Sequence, residues 1–305
     1  MKKFLFLLFL LLATQFVYAE FDASSAFQLG IAYDDIASIE TGGEWIYPTN
    51  KIPYVTNGLI AYWDGIWNAG LGQHDDNATV WKDLSGNGFD GYQQQESGWL
   101  WTNNAYVGLE KNNHGFIVSN IIDVININLN SLTFECVIKV ESTNKWDAVF
   151  GQYNGQHGIT YEIDGRNIEG DDIAHFRAYY NNNPNLIGTN TNIINNIFSF
   201  STISSDSNTE VYYNGIFNAR KSAVTMSPVN GYNFCIAKNH AKVYTNKTFV
   251  GKIYCIRVYN HPLMEEEIKY NSAIDALRFD NKDLCADSTT YNIVSKKYTK
   301  SEYIN

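Results

Sequence analysis

The run Leu132-Thr133-Phe134-Glu135-Cys136-Val137-Ile138-Lys139-Val140 alternates apolar side chains at every second position for nine residues. A period of two fits a β-strand with one face buried and does not fit a helix, whose apolar positions recur every three to four residues. Shorter runs of the same kind follow one another from Gly58 to Tyr259. Turn signals separate them at intervals of about 8 to 12 residues, the spacing of an antiparallel sandwich or barrel.

The expected strands cover 59 to 63, 105 to 109, 115 to 118, 131 to 140, 147 to 152, 158 to 164, 173 to 180, 197 to 203, 209 to 213, 233 to 237 and 248 to 259. Asn154-Gly155, Asp164-Gly165, Asn214-Gly215 and Asn230-Gly231 supply residues that accept positive φ where strands reverse. Val211 to Phe217, centred on Asn214-Gly215, reads as a hairpin. The asparagine-rich stretch 181 to 196 reads as a surface connection.

Both ends differ from this body. Residues 1 to 19 combine Lys2 and Lys3 with an unbroken Phe/Leu run and small residues before a cut after Ala19, the pattern of a secretory signal peptide. Residues 20 to 57, broken by Gly42-Gly43, Pro48 and Pro53, are expected to pack along the sandwich in short extended pieces. Near the other end, Pro262 at a first helical position and Glu265, Glu266 and Glu267 in a first turn predict one helix. Met264, Ile268, Tyr270, Ile274 and Leu277 form its docking stripe. Residues 280 to 305 form a tail that either straps the sandwich or frays.

The formal charge is −10, and loss of Lys2 and Lys3 with the leader takes it to −12. An acidic chain with no basic run argues against nucleic acid as a partner. Nothing after the leader is apolar for long enough to insert into a membrane. Secretion to the extracellular space, or to the periplasm of a Gram-negative source, is the expected localisation. Cys136, Cys235, Cys255 and Cys285 allow three disulfide connectivities, and spacing chooses none of them. Cys136 sits on an apolar strand face, where a buried free thiol is the simpler reading.

Two stretches carry a family resemblance. Ala61-Tyr62-Trp63-Asp64-Gly65 with Trp81-Lys82-Asp83-Leu84-Ser85-Gly86-Asn87-Gly88-Phe89-Asp90-Gly91 resembles the opening of a laminin-G-like domain of secreted microbial proteins. Gly251 to Asn260, followed by the predicted helix, resembles its closing strand. The resemblance implies an all-β, concanavalin A-like (laminin-G-like) antiparallel β-sandwich or jelly roll over residues 58 to 279, with one short C-terminal helix. Such sandwiches host binders, adhesins and hydrolases alike.

Asp83, Ser85 and Asn87 have the spacing of positions 1, 3 and 5 of a calcium loop, with Gly88 at position 6. Gln94 stands where the bidentate glutamate belongs, so backbone carbonyls, Asp90 or the nearby Asp64 would complete a Ca2+ site of the kind the resemblance implies at a rim. The bland reading is that these side chains cap a tight turn. Glu162 and Asp164 share a strand face, as the carboxylates of retaining glucanases do. The acid/base partner would be Glu169, which falls beyond a turn, so the pair reads as the solvated face of a hairpin arm.

All seven tryptophans precede residue 147, and Trp67, Trp99 and Trp101 with His74 are the candidate ligand-binding residues, against core packing as the alternative. The function expected is binding to a glycan or glycoprotein surface without catalysis, assisted by calcium. A glycoside hydrolase and a protein-binding adhesin are the alternatives. Asn77-Ala78-Thr79 and Asn246-Lys247-Thr248 are glycosylation sequons that matter only in a eukaryotic secretory path.

Overall fold

The computed structural model describes residues 51–94, 97–109, 114–119, 121–127, 131–141, 147–153, 158–164, 175–180, 183–188, 193, 196–222, 231–238 and 248–298. The expected signal peptide, residues 20 to 50, the turns at Asn154 and Asn230, Glu169 and the sequon asparagine Asn246 lie outside them. The strands are β1 (Leu59–Asp64), β2 (Val80–Trp81), β3 (Gly91–Gln93), β4 (Trp99–Thr102), β5 (Ala105–Gly108), β6 (Phe116–Val118), β7 (Leu132–Val140) and β8 (Asp147–Tyr153). They continue as β9 (Gly158–Asp164), β10 (His175–Tyr180), β11 (Asn183–Gly188), β12 (Ile197–Ser204), β13 (Asn208–Tyr213), β14 (Ile216–Ser222), β15 (Phe234–Ile236) and β16 (Gly251–Tyr259). Helices α1 (Ile121–Ile127), α2 (Glu265–Arg278) and α3 (Ser288–Tyr298) complete the set, with a single 3-10 turn at Lys282–Leu284.

Two antiparallel sheets result. The first runs β14-β13-β12-β7-β16-β5-β4, and the second runs β11-β10-β9-β8-β15-β6-β3-β2. β16 is the hub of the first sheet. One edge pairs along its length with β7, and the other is shared, Gly251 to Ile253 with β5 and Cys255 to Tyr259 with β1. A register shift between Ile253 and Cys255 marks the handover, as a bulge does when it re-aims a strand. The two sequence signatures therefore lie side by side.

Alternation decides what each face does. Leu132, Phe134, Cys136, Ile138 and Val140 point between the sheets, where they meet Trp63, Phe150, Tyr161 and Phe234. Phe150 and Tyr161 stack with centroids 4.6 Å apart, and Trp81 meets Trp101 edge-on at 5.0 Å. Thr133, Glu135 and Val137 point the other way, toward α2. The helix lies over that face with Ile268, Tyr270, Ile274 and Leu277 buried. Met264 departs from the expected stripe. It is the N-cap, 44% exposed, and its backbone N–H donates to the Glu267 carboxylate at 2.9 Å.

Several elements differ from the sequence reading. Asn183–Gly188, expected as connection, is a strand whose Pro184 is tolerated because β11 is the sheet edge. Helix α1 has too short a pattern to stand out, at seven residues. Residues 280 to 298 strap rather than fray. Leu284, Cys285 and Val294 are buried, Ser272 Oγ donates to the Leu284 carbonyl, and the Ala286 N–H reaches the Asn214 carbonyl at 3.0 Å. On the opposite side, Tyr54 and Val55 are tied to Asp275 and Asn271 of α2.

Candidate functional site

The two signatures meet in a buried ionic cluster between the first sheet and α2. Tyr62, Arg257, Glu135, Ser201 and Tyr212 form one cross-strand row on that face. Arg257 Nε donates to Glu135 at 2.8 Å, while its two terminal nitrogens reach the Asp275 oxygens at 2.7 and 2.8 Å. Arg278 donates to Asp64 at 2.8 Å and its guanidinium lies 4.2 Å from the Trp67 ring centre. Two guanidiniums thus face three carboxylates, all of them buried. Burial pushes the Glu135 carboxyl above its ordinary range, against the pull of Arg257 and the hydrogen bonds from Arg257 and Ser201. The cluster fixes α2 on the sheet, and its ion-paired side chains are inaccessible to solvent.

Asp64 is spent in this cluster. One of its oxygens accepts from Arg278 and Tyr62, and the other accepts from the N–H groups of Ile66 and Trp67. Asp83 is spent likewise: one oxygen accepts from the backbone of Tyr62 and Ser85, the other from Ser85 Oγ and the Phe89 N–H, at 2.8 to 3.0 Å. Asp90 accepts from Lys82 Nζ at 2.6 Å and from the Asp83 N–H at 2.9 Å. Ser85 Oγ and the Asn87 amide both address the Ile60 carbonyl. Asp64 is held in the ionic cluster, and Asp83, Ser85, Asn87 and Asp90 cap a turn; the three carboxylates already accept from protein donors, so the set does not fit a calcium site. No cluster of three or more His, Cys, Asp or Glu side chains able to hold a metal occurs among the described residues.

The aromatic candidates do not form a platform. Trp101 is in the core between Trp81 and Phe116 with its Nε1–H on the Ala78 carbonyl, and Trp67 is buried under Arg278. Trp99, half-buried, stacks on Tyr106 at 6.0 Å. His74 remains on the rim, its ring nitrogens 3.1 Å from the Gly65 carbonyl and 3.0 Å from Asp76. Glu162 is 5% exposed, which overturns its reading as a solvated hairpin face. It stands opposite Ala148, on the face of the second sheet turned away from the core.

That outer face carries the arrangement which sequence reasoning missed. Tyr92, Ile117, Cys235, Gly151 and Thr160 follow one another across β3, β6, β15, β8 and β9 in a single cross-strand row. Tyr92 is 51% exposed, Ile117 is half-buried, and the rest of the row is buried. The floor beyond Ile117 is small, since Gly151 has no side chain and Cys235 and Thr160 have short ones. Beside the row, Gln94 donates its N–H to the Gly115 carbonyl, and Lys238 lays its stem over Gly115. An exposed tyrosine at Gly91-Tyr92-Gln93 has no motif to announce it; only the alternation there could have found it.

A model of the concanavalin A-like lectin/glucanases superfamily, Laminin_G_3, matches residues 110–269. The chain belongs to this superfamily. In that superfamily match lie β6 to β16 and the first turn of α2, including Ile117, Glu162, Cys235, Lys238 and Arg257, while Tyr92 and the capped turn precede it. Among solved structures, Trypanosoma rangeli sialidase in complex with sialic acid matches at TM-score 0.51 and 14% identity, over 85% of this chain and 38% of that one. The same sialidase with 2,3-difluorosialic acid matches at TM-score 0.50 and 16% identity, over 69% and 32%. The chain therefore spans about a third of the sialidase chains, and the likeness is one of fold. Domain 4 of AbnA, an extracellular arabinanase of Geobacillus stearothermophilus, in complex with arabinotriose, aligns over 69% of this chain and 96% of its own at TM-score 0.49 and 14% identity. No curated protein matches the sequence.

Proposed function

We propose that this concanavalin A-like chain is a secreted, non-catalytic module that binds a glycan or glycoprotein surface with the outer face of its second sheet. The observation that carries the reading is the row on that face. An exposed Tyr92 ring stands beside the half-buried Ile117, with the Gln94 side-chain amide, which donates to the Tyr92 carbonyl at 3.1 Å, and Lys238 alongside. Sugars are held in this way, their apolar faces against a flat aromatic ring and their hydroxyls against amides and charged groups. Membership of a superfamily that includes lectins supports a glycan as ligand without deciding it. Burial of Glu162 favours binding over hydrolysis, because a catalytic carboxylate must reach the glycosidic oxygen. Export rests on the apolar leader of residues 1 to 19.

A glycan array probed with the full chain and with Tyr92→Ala tests this. Saturable binding that weakens about tenfold or more in the variant, with no sugar released, is the expected result. Release of sugar that disappears in Glu162→Gln would replace binding by hydrolysis. Retention on a protein ligand with every glycan unbound would favour an adhesin.

A further inference from the structure

Resting on that reading, we propose that the glycan is anionic, carrying carboxylate or sulfate groups, and that Lys238 is the residue that pairs with them. Three features of the fold converge on this side chain. Ala237, the residue before it, has φ 62, a left-handed conformation that a side chain with a Cβ adopts only at a cost. Its backbone is held there on both sides, the N–H donating to the Val149 carbonyl at 2.6 Å and the carbonyl accepting from the Phe249 N–H at 3.0 Å. In an uninterrupted strand Lys238 would follow Ile236 into the core, two residues on. The left-handed step turns it out instead, onto the face that carries Cys235.

Gly115 makes room for the stem. Its own φ is 131, and a Cβ there would lie 3.0 Å from Lys238 Cγ and 3.2 Å from Lys238 Cβ. The stem is thereby pressed flat on the sheet, leaving Lys238 only 8% exposed. Burial also draws its amine below the ordinary lysine range.

The third feature is the absence of a counter-charge. Lys82, Lys139 and Lys269 pair with Asp90, Glu141 and Glu265 at 2.6, 3.8 and 2.7 Å. Lys238 makes no ion pair and no hydrogen bond with any of the described residues, in a chain where acids outnumber bases 32 to 22. An amine on a buried stem, with no partner among the described residues, gains a charge-assisted hydrogen bond when a ligand brings an anion, and such bonds are the stronger kind. From β3 to β15 the sheet advances two strands, about 10 Å at the usual spacing. A short oligosaccharide can therefore rest on Tyr92 and present an acidic group to Lys238.

The test is calorimetric titration of the full chain with three oligosaccharide classes: an oligouronide, a sulfated oligosaccharide, and neutral counterparts of each. Lys238→Met, which keeps the stem, and Lys238→Arg, which keeps the charge, are titrated in parallel, with thermal melts to show that both fold. Acidic ligands are expected to bind about tenfold or more tightly than neutral ones, an advantage lost in Lys238→Met, largely kept in Lys238→Arg and eroded by salt. Preference for the uronide or for the sulfated ligand identifies the anion. Equal binding of neutral and acidic ligands, unchanged in Lys238→Met, overturns the role of Lys238 and leaves the glycan reading standing. Failure of every glycan to bind overturns both.

Discussion

Arg257 and Asp275 meet end-on, two guanidinium nitrogens against two carboxylate oxygens at 2.7 and 2.8 Å, and so join the hub strand of the first sheet to α2. Neither side chain is accessible to solvent. Removing one partner leaves the other charge buried with its bidentate counter-charge gone. Asp275→Ala is expected to cost about 3–5 kcal/mol in urea unfolding. Arg257→Met combined with Asp275→Leu should cost less than the two single changes together, because the double change leaves no isolated member of this pair.

Stability should fall as pH rises above the ordinary glutamate range. Burial raises the Glu135 carboxyl in the folded protein, so between the unfolded and folded values the folded state holds a proton that the unfolded state has released. Below about 4.3 both forms are protonated and the group contributes no slope. Above it, the stability of wild type relative to Glu135→Gln should decline until the folded carboxyl has titrated, then level off. Urea midpoints from pH 4 to 9 check this, and a difference that stays flat would remove Glu135 as the proton carrier.

Calcium and chelator should leave the melting temperature unchanged, since the oxygens of Asp83 are filled by four protein donors. Asp83→Ala should still destabilise, by about 1–3 kcal/mol, because buried donors lose their acceptor. A melt that rises with calcium in wild type and not in Asp83→Ala would contradict the turn-capping role.

The four cysteines are unpaired and buried, and burial pushes Cys235 to about 12 and Cys285 to about 11. A thiol reagent at pH 8 should find almost nothing in the native protein and four thiols once denaturant is added. Fewer than four in denaturant would mean that disulfides form.

Trp101 and Tyr92 should separate packing from binding. Trp101→Ala removes a ring wedged among Trp81, Tyr106 and Phe116 and is expected to cost about 3–5 kcal/mol. Tyr92→Ala, on an exposed face, should change stability by about 0.5 kcal/mol or less and act on ligand affinity alone.

What could be read in advance was whatever depends on near neighbours in the chain. The alternation of Leu132 to Val140, the reversal at Asn214 and Gly215, which have φ of 50 and 78, and the helix after Pro262 are local patterns with local causes. The resemblance of residues 58 to 91 led to the superfamily, and the turn-capping alternative for Asp83 was already implicit in its short oxygen-bearing neighbours. Burial of Glu162 and Trp67 was not legible, and for Trp67 the reason is that its cover lies far away in sequence. The guanidinium over Trp67 comes from Arg278, and the row beneath Tyr92 is assembled from five strands whose pairing no local pattern specifies. Lys238 was hidden for a different reason: alternation places it in the core, and only the left-handed turn at Ala237 moves it out.

The position of β16 in the middle of the first sheet, though it comes late in the chain, has a consequence for biogenesis. Until residue 259 has left the ribosome, β7 and β5 each lack a neighbour on one edge, and β1 lacks the strand it pairs with. Edges left open in this way invite pairing with other chains. Closure must then wait for pairings as distant as Leu59 with Tyr259, so the first sheet comes together slowly.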